Sequence, residues 1–320
     1  MILVVGGLNG FVGSNTTEAL VQLGRECVVT QHSRTEVPRF LEEQIGHHVF
    51  VEHADATSLE DMRRIGEKYK IDGIVNVGGG FRTAGPKTPM SRLNGYLQML
   101  DATFKLAEQW KVNRVTFSST GGMYLGLTGT VDEASPIFLQ APIPGMPGIL
   151  QYQKIVEVAS EQFSNATGIS TVCCRLMGFY GPFQDTDQAA LANRLAHAAV
   201  SGKPVDLKDA FFTFQDDAVD TLYIKDLARA IALLHTADKL NHKVYNIGTG
   251  KTTSNHEVLE AVKKAVPGFN VTLPPGRFPF PPLPTMNVKR LHEDTGFTPK
   301  YDTQSAIQDY VDWLKAGNPK

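Results

Sequence analysis

The sequence predicts an α/β protein with a doubly wound parallel sheet. Short runs rich in β-branched residues alternate with helix-period segments through the first half of the chain. The first of these runs, Ile2-Leu3-Val4-Val5, leads directly into a glycine-rich turn and then into a helical pattern. At 320 residues the chain also exceeds one minimal domain, which leaves room for a second, smaller lobe.

The alternation resolves into strands and helices of ordinary length. Strands are predicted over 2–5, 27–30, 48–52, 73–77, 113–118 and 170–175. Helices with one apolar face are predicted over 11–23, 58–69, 90–110 and 150–166, and shorter ones follow over 225–236, 254–265 and 303–315. We therefore expect a sheet domain over 1–177, rejoined by segments around 215–250, and a smaller α/β lobe formed mainly by 178–320.

A Pro-rich stretch begins at Leu273 and ends at Pro284. Its composition alone allows a disordered linker. Because a helical pattern resumes after it, we favour an ordered irregular loop over the substrate side of the lobe.

Composition narrows the class of protein. A net charge of −2 gives no surface that attracts a polyanion, so nucleic acid is not an expected partner. Cys27, Cys173 and Cys174 lie in apolar runs rather than at metal-ligand spacing, and the histidines are scattered, so no metal site is expected. The first strand leaves no room for a signal peptide, and no apolar run reaches the ~18 residues of a membrane span. We expect a cytoplasmic protein without a membrane partner.

The glycine-rich turn carries the strongest binding signal. Gly7, Gly10 and Gly13 are spaced three residues apart between the first strand and the first helix. Glycines there let the backbone approach a pyrophosphate, which then meets the positive end of the helix. This context predicts a dinucleotide site on a Rossmann-type sheet, with Phe11 and Val12 among its backbone contacts. The alternative is a tight turn with a purely structural role.

The end of the second strand bears on the choice of cofactor. An acidic residue there would accept hydrogen bonds from the adenosine ribose of NAD, but the stretch from Thr30 to Arg34 contains no carboxylate. Arg34 and His32 can instead face a 2′-phosphate, which suits a guanidinium fork. The pattern favours NADP, with NAD as the second choice. Arg34 as a solvated loop residue is the alternative.

Further motifs follow in a fixed order along the chain. Besides the glycine turn they are Asp55, the segments 75–80 and 117–120 with Tyr124, 175–182, 223–226, 245–250, and 296–299 before a helix with Trp313. Together they resemble the extended short-chain dehydrogenase/reductase family, also called the NAD-dependent epimerase/dehydratase family, essentially from end to end.

This resemblance implies where the ligands bind. It places Asp55 at the adenine, 178–182 beside the nicotinamide and the C-terminal lobe over the substrate. The further cofactor contacts that we predict are Ala56, Val77, Gly78, Gly79, Ser118, Lys154, Gly178 and Phe179. The predicted substrate contacts are Phe81, Arg82, Thr120, Gly121, Tyr180 and Arg277. Phe81 and Arg82 also follow the fourth strand, where open α/β sheets place ligands, although Arg82 can equally be a solvated loop residue.

The resemblance also implies a homodimer. Two long helices of each subunit, here 90–110 and 150–166, would form its interface. Apolar positions recur at helical spacing in both segments. The same positions are equally compatible with packing on the chain's own sheet.

The resemblance further implies a catalytic tyrosine, a lysine four residues later and a serine or threonine at the end of the fifth strand. Thr120 fits the last role and Lys154 the second. Leu150 stands where the tyrosine should be, and leucine cannot transfer a proton. Tyr152 lies close by, but two residues turn it by ~200° around the helix. It is a candidate only if the helix begins later or its first turn is irregular.

Two more features depart from the family pattern, and a third matches it in part. Arg92 stands where an asparagine is common, although Asn94 is adjacent to it. The segment 216–220 carries three aspartates in place of a diphosphate-binding arginine, and these would repel a diphosphate. Arg277 matches a second phosphate-binding arginine, but several phenylalanines accompany it, at 211, 212, 214, 278 and 280. They suggest a more hydrophobic ligand, or else they form a local core.

The sequence therefore predicts an NAD(P)-dependent oxidoreductase or redox isomerase. Its substrate would be a small molecule that is not strongly anionic and that reacts at a carbonyl or hydroxyl carbon. Two alternatives remain open. One is a non-redox lyase or isomerase, and the other is a catalytically silent NADP-binding sensor or scaffold.

Overall fold

A seven-stranded parallel sheet forms the centre of the molecule. The structure is a computed structural model that describes residues 1–78, 88–138, 149–184, 190–207 and 210–318. The strands are β1 (Ile2–Val5), β2 (Cys27–Gln31), β3 (Val49–His53), β4 (Gly73–Asn76), β5 (Arg114–Thr120), β6 (Thr130–Val131), β7 (Ser170–Leu176), β8 (Gly178–Tyr180), β9 (Ala218–Val219), β10 (Thr221–Tyr223), β11 (Val244–Ile247), β12 (Thr253–Ser254) and β13 (Thr285–Met286). The central sheet has the order β11-β7-β5-β4-β1-β2-β3, which confirms the predicted doubly wound parallel sheet.

Helices connect the strands on both faces. They are α1 (Phe11–Gln22), α2 (Arg39–Glu42), α3 (Leu59–Lys68), α4 (Pro89–Trp110), α5 (Ile149–Thr167), α6 (Leu191–Ser201), α7 (Ile224–Thr236), α8 (Asn255–Ala265), α9 (Lys289–Thr295) and α10 (Thr303–Lys315). A 3-10 helix, Gly121–Tyr124, follows β5. All seven helices predicted from the sequence are present, whereas the short α2 and α9 and the Ala-rich α6 were not predicted.

Each face of the sheet has its own apolar core. Side chains alternate along a strand, so Val4 joins a cluster with α1 and α7, whereas Leu3 joins a cluster with α3, α4 and α5. This arrangement explains why the strands read as continuous apolar runs: a parallel sheet covered on both faces has no solvated side.

Polar side chains define where several helices begin. Ser254 and Glu257 form a capping box at the start of α8, and Asp302 and Ser305 form another at the start of α10.

The stretch from Leu273 to Pro284 is irregular, and its backbone accepts hydrogen bonds from Gln215 and Asp216. Among the residues described, no helix has the length and apolar character needed to cross a membrane.

The buried side chain of His235 makes the stability of the fold depend on pH. His235 on α7 lies 2.9 Å from the hydroxyl of Thr116 through Nδ1, and it fills the space beside Gly73, where a Cβ would come within 2.4 Å of its ring. Burial, assisted by the charge of Arg114, lowers the pKa of His235 to about 3. The unfolded chain would protonate the same group near pH ~6.5. The neutral imidazole therefore favours the fold fully above that pH, and this contribution is lost as the pH falls toward 3.

We expect the free energy of unfolding to decrease by about 1.4 kcal/mol per pH unit below pH ~6 through this group. His235→Gln, which does not titrate, should flatten that part of the pH profile even if it lowers stability at neutral pH. Urea denaturation followed by circular dichroism between pH 4 and 8 measures the effect. His48→Gln, at an exposed position, serves as the control. An unchanged slope in the His235 variant would show that other groups control acid unfolding.

Candidate functional site

A cavity of about 540 Å³ opens at the carboxyl ends of β1, β2, β3 and β4. The chain leaves β1 toward β2 and β3 on one side and then crosses to β4 on the other, so the strand order reverses at β1. Open α/β sheets bind ligands at such a switch point. The cofactor residues predicted from the sequence that line this cavity are Gly10, His32, Arg34, Asp55, Ala56, Val77 and Gly78.

The glycine turn forms one wall. Gly6 has a φ of +75°, and a Cβ on Gly13 would lie 2.1 Å from the carbonyl oxygen of Gly6. A Cβ on Gly10 would lie 2.5 Å from the same oxygen, and one on Gly7 would lie 2.7 Å from the carbonyl oxygen of Val4. Side chains at these positions would therefore force the turn open.

The start of α1 suits the pyrophosphate of a dinucleotide. Its N-cap is Gly10, which offers no side-chain acceptor, and its first turn contains no acidic residue. The N–H groups of Phe11, Val12 and Gly13 thus point from the helix end without a side chain to cap them. Exposed backbone donors and the helix dipole together favour an anion, so the turn fits the group that the sequence implied.

Basic and acidic side chains lie together at one end of the cavity. His32 and Arg34 follow β2, and Asp55 follows β3. His32 Nε2 lies 3.9 Å from Asp55 Oδ2, and both side chains are exposed, so this pair contributes little to stability. Asp55 Oδ1 accepts hydrogen bonds from the backbone N–H of Thr57 at 2.9 Å and from its hydroxyl at 2.8 Å. These bonds fix the loop that closes this end.

Helix α4 contributes a wall that the sequence analysis missed. Ser91, Asn94, Gly95, Gln98 and Met99 line the cavity. They recur at helical spacing, so a helix face that combines a serine, an asparagine, a glycine and a glutamine was the signal that could have identified them. Asn94, rather than Arg92, is the lining residue. Of the other predicted contacts, Gly79, Phe81 and Arg82 lie outside the described residues.

The chain after β7 meets the glycine turn. Phe179 on β8 stacks on Phe11, with ring centroids 5.8 Å apart. Gly178 is packed closely, since a Cβ there would lie 2.8 Å from the hydroxyl of Thr221. Tyr180 is buried against Tyr223, and burial raises its pKa. The structure thus brings together two of the segments that the sequence assigned to the cofactor.

Thr120 is the last residue of β5 and is only 5% exposed. Its Oγ1 accepts a hydrogen bond of 2.9 Å from the N–H of Gly122, which caps the 3-10 helix that begins at Gly121. A hydroxyl that accepts one bond in this way keeps its hydrogen for a second partner. Ser118 lies two residues earlier on the same strand and is half-buried.

The first turns of α5 place the other catalytic candidates. Lys154 Nζ donates to the carbonyl oxygen of Phe138, and desolvation lowers the pKa of Lys154 below its usual range. The half-buried Tyr152 packs against the apolar cluster shared by α4 and α5. The helix begins at Ile149 and not later than predicted, so the first of the two conditions for a catalytic role of Tyr152 is not met.

A buried ion pair stands beside Thr120 and was also missed. The carboxylate of Glu157 on α5 bonds the guanidinium of Arg175 at 2.9 and 2.7 Å and accepts a bond of 2.7 Å from the hydroxyl of Ser119. Arg175 also donates to the hydroxyl of Tyr124. Burial alone would lower the pKa of Arg175, but its bonds to Glu157 raise it instead. Burial raises the pKa of Tyr124.

Two of the three aspartates before β10 have internal hydrogen-bond partners. Asp220 is fully buried and accepts hydrogen bonds from the backbone N–H groups of Thr249, Gly250 and Met286. Asp217 is buried as well and accepts from Phe214 and Phe278. The charges of Asp217 and Asp220 are therefore satisfied within the lobe, whereas Asp216 is exposed, and the expectation that the three aspartates repel a diphosphate stays a prediction.

The loop around Arg277 is a surface feature of the lobe. Arg277 itself is exposed. Phe278 packs edge-on against Phe212 with centroids 5.1 Å apart, and Phe280 and Phe211 lie at its borders.

Within the described parts of the chain, no group of three or more His, Cys, Asp or Glu residues could hold a metal ion.

The sheet, the switch-point cavity and the glycine turn together define a dinucleotide-binding protein of the Rossmann type. The chain belongs to the NAD dependent epimerase/dehydratase family, whose family model matches residues 2–248. This finding confirms the resemblance drawn from the sequence motifs.

Individual relatives are distant but extend over most of the chain. UDP-glucose 4-epimerase of Erwinia amylovora is 25% identical over 290 residues, which cover 83% of each chain. The crystal structure of UDP-glucose 4-epimerase from Thermotoga maritima with UDP-glucose has a TM-score of 0.76 at 20% identity and covers 99% of both chains. A dTDP-glucose 4,6-dehydratase from Bacillus anthracis in complex with NAD also gives a TM-score of 0.76, at 16% identity over 98% of this chain and 96% of that one.

Proposed function

We propose that the protein is an NAD(P)-dependent oxidoreductase or redox isomerase that acts at a carbonyl or hydroxyl carbon. The observation that carries this proposal is the cavity at the switch point, which is built from a glycine turn, an uncapped helix end and the loops after β2, β3 and β4. Thr120 stands at the carboxyl end of a neighbouring strand of the same sheet. Family membership supports the same class of chemistry.

The roles of the chain's own residues follow from their positions. When bound, a nicotinamide cofactor would supply the hydride acceptor and donor. Thr120 donates its hydroxyl hydrogen to the substrate oxygen, and that bond strengthens as negative charge develops there. Lys154 holds the nicotinamide ribose after releasing the carbonyl of Phe138. Tyr152, a water molecule or the substrate itself supplies the proton, because Leu150 cannot.

For the substrate we propose a small molecule that is not strongly anionic. The apolar surroundings of Arg277, with Phe278 and Phe280, support this choice. Asp217 and Asp220 give no such support, since they are satisfied internally, whereas the exposed Asp216 does. Several relatives are named as epimerases of UDP-glucose, so nucleotide sugars belong in the same test.

Transient or net reduction of the cofactor tests the proposal. Purified protein with saturating cofactor is mixed with UDP-glucose, UDP-galactose and a panel of uncharged aldehydes, ketones and alcohols, and absorbance at 340 nm is followed. A redox enzyme gives a net or a transient absorbance change with at least one member. Tight cofactor binding without any response would instead support the second candidate, a catalytically silent sensor or scaffold. The engagement of Lys154 by Phe138 and the presence of Leu150 favour that candidate. A product formed without any absorbance change would support a non-redox lyase or isomerase.

We propose NADP as the preferred cofactor and NAD as the second choice. His32 and Arg34 lie at the cavity's edge beyond β2, where a 2′-phosphate would lie. Replacing Arg34 by Ala should weaken NADPH binding by about 10- to 100-fold, the value of one or two charge-assisted hydrogen bonds, and leave NADH binding nearly unchanged.

Isothermal titration calorimetry with both reduced cofactors measures this effect. Arg25→Ala removes an exposed arginine before β2 and serves as the control. Parent protein that binds NADH more tightly than NADPH would contradict the NADP preference and leave NAD as the cofactor.

We further propose a homodimer formed by α4 and α5. Most apolar residues of these helices pack on the sheet, but Leu97 on α4 remains 41% exposed and Val158 on α5 remains 65% exposed. A buried carboxylate without a partner is costly, so Val158→Asp should convert a dimer into monomers. Light scattering after size-exclusion chromatography measures the mass, and Leu59→Asp on α3 is the matched control. A parent chain that is monomeric at micromolar concentration would refute this proposal.

A further inference from the structure

The ion pair between Glu157 and Arg175 joins an outer helix to the sheet beside Thr120. Glu157 lies on α5 and Arg175 on β7, and their side chains are only 12% and 6% exposed. Arg175 is the register partner of Ser119 across the β5–β7 ladder, so both side chains emerge on the same face of the sheet, under α5. Glu157 bonds both of them, Arg175 with two contacts and Ser119 with one of 2.7 Å.

These bonds hold Thr120 from both sides. The residue before it, Ser119, is fixed to Oε1 of Glu157. The turn after it ends at Tyr124, whose hydroxyl accepts from Arg175 and lies 2.8 Å from Asn246 Oδ1. The guanidinium of Arg175 also stands over the Tyr124 ring, 5.1 Å from its centroid. One carboxylate and its partner therefore restrain the strand end and the following 3-10 helix together.

Stability alone does not account for this arrangement. Two charges lose their hydration when they are buried, and a buried ion pair is often no better for stability than apolar residues of the same volume. Such a pair does fix the geometry of the groups that it bonds. Here those groups flank the residue to which the proposed function assigns contact with the reacting oxygen.

We propose that Glu157 is a positioning residue, which acts through Ser119 and Arg175 to hold the Thr120 hydroxyl at the reacting oxygen of the substrate. This inference rests on the role of Thr120 in the proposed function. It predicts that weakening the bonds of Glu157 lowers kcat without changing cofactor affinity, because the cavity at β1 to β4 does not include Ser119, Glu157 or Arg175. A displacement of about 1 Å at a catalytic group can cost about 100-fold in rate.

The test is a double-mutant cycle on kcat in the full chain with saturating cofactor. Its substrate is the most active member of the panel, beginning with UDP-galactose. Ser119→Ala removes one hydrogen bond and leaves the ion pair intact, so we expect a loss in kcat of about fivefold. Glu157→Gln removes the charge, and we expect about 100-fold. Glu157→Asp retains the charge and should recover part of that loss. Glu161→Gln neutralises an exposed carboxylate one turn later on α5 and is the matched control.

Combination with Thr120→Val separates positioning from a structural role. If Glu157 acts only through Thr120, neither Ser119→Ala nor Glu157→Gln lowers kcat further in the Thr120→Val background. The inference is overturned if the losses in kcat of the single variants multiply in the double variants. It is also overturned if the Ser119 and Glu157 variants have a lower thermal stability but an unchanged kcat. Should Glu157→Gln fail to fold, the Ser119→Ala cycle decides alone. A parent chain that turns over no panel member, or a fully active Thr120→Val variant, overturns the proposed function and the inference with it. An inactive Thr120→Val beside normal Ser119 and Glu157 variants overturns the inference alone.

Discussion

Replacement of Thr120 by valine is expected to reduce kcat by about 100- to 1000-fold while cofactor affinity stays nearly unchanged. Valine has the shape of threonine but cannot donate a hydrogen bond, and loss of one donor to a developing oxyanion typically costs this much. The Oγ1 of Thr120 accepts from the N–H of Gly122 at 2.9 Å, which orients the hydroxyl and leaves its hydrogen for the substrate. Single-turnover absorbance at 340 nm measures the rate, and calorimetry measures the affinity for the cofactor.

Two further variants separate this chemistry from stability. Thr120→Val also removes the cap of the 3-10 helix, which should cost about 1 kcal/mol of folding free energy. Thr116→Val removes a buried hydroxyl from the same strand, where it bonds His235, and should lower stability without lowering kcat. Thr120→Ser keeps the hydroxyl and should retain most of the rate. Full activity in the valine variant would remove Thr120 from the mechanism.

Most of the sheet could be predicted because its determinants are local. The strands β1, β2 and β7 each contain an uninterrupted apolar stretch of three or four residues, and such stretches between turn signals indicate strands of a parallel sheet covered on both faces. The seventh strand, β11, was recognised only as part of a returning segment. It is four residues long and pairs with β7, about 70 positions earlier in the chain, so its partner cannot be read from neighbouring residues.

The cofactor side of the site was more accessible to sequence reasoning than the catalytic side. Gly10, His32 and Asp55 each follow a strand that the sequence identifies, and the carboxyl ends of parallel strands share one edge. Glu157 and Arg175 gave no such signal. A glutamate on a helix and an arginine on a strand usually face solvent, and only the register of β7 against β5 brings them together beneath Ser119.

The same limit applies to the internal partners of two aspartates. Asp217 and Asp220 read as a charged surface in the sequence, because a buried carboxylate needs several donors that no local pattern reveals. Those donors come from residues 29 to 66 positions away in the case of Asp220, at Thr249, Gly250 and Met286. Satisfied carboxylates of this kind hold loops of the lobe together, so their charge carries little information about the substrate.

Replacement of Gly13 by alanine is expected to weaken binding of either nicotinamide dinucleotide by about 100-fold or more. A Cβ there would lie 2.1 Å from the carbonyl oxygen of Gly6 and 3.0 Å from Cα of Gly7. Both are backbone atoms, so no flexible side chain can absorb the clash and the turn itself must move. The N–H groups at the start of α1 then leave the pyrophosphate, and each bond to a charged group is worth about 1.5–3 kcal/mol. Calorimetric titration with NADPH and NADH measures the loss.

A second glycine supplies the matched control. Gly202 has a φ of +68° after α6, and a Cβ there would meet nothing within 4 Å. Gly202→Ala should therefore lower stability by about 1 kcal/mol through backbone strain and leave both affinities unchanged. If Gly13→Ala binds the dinucleotides as well as the parent does, the turn is a structural feature only. The cofactor site would then have to be sought elsewhere, because every catalytic assignment made above depends on a dinucleotide held at this turn.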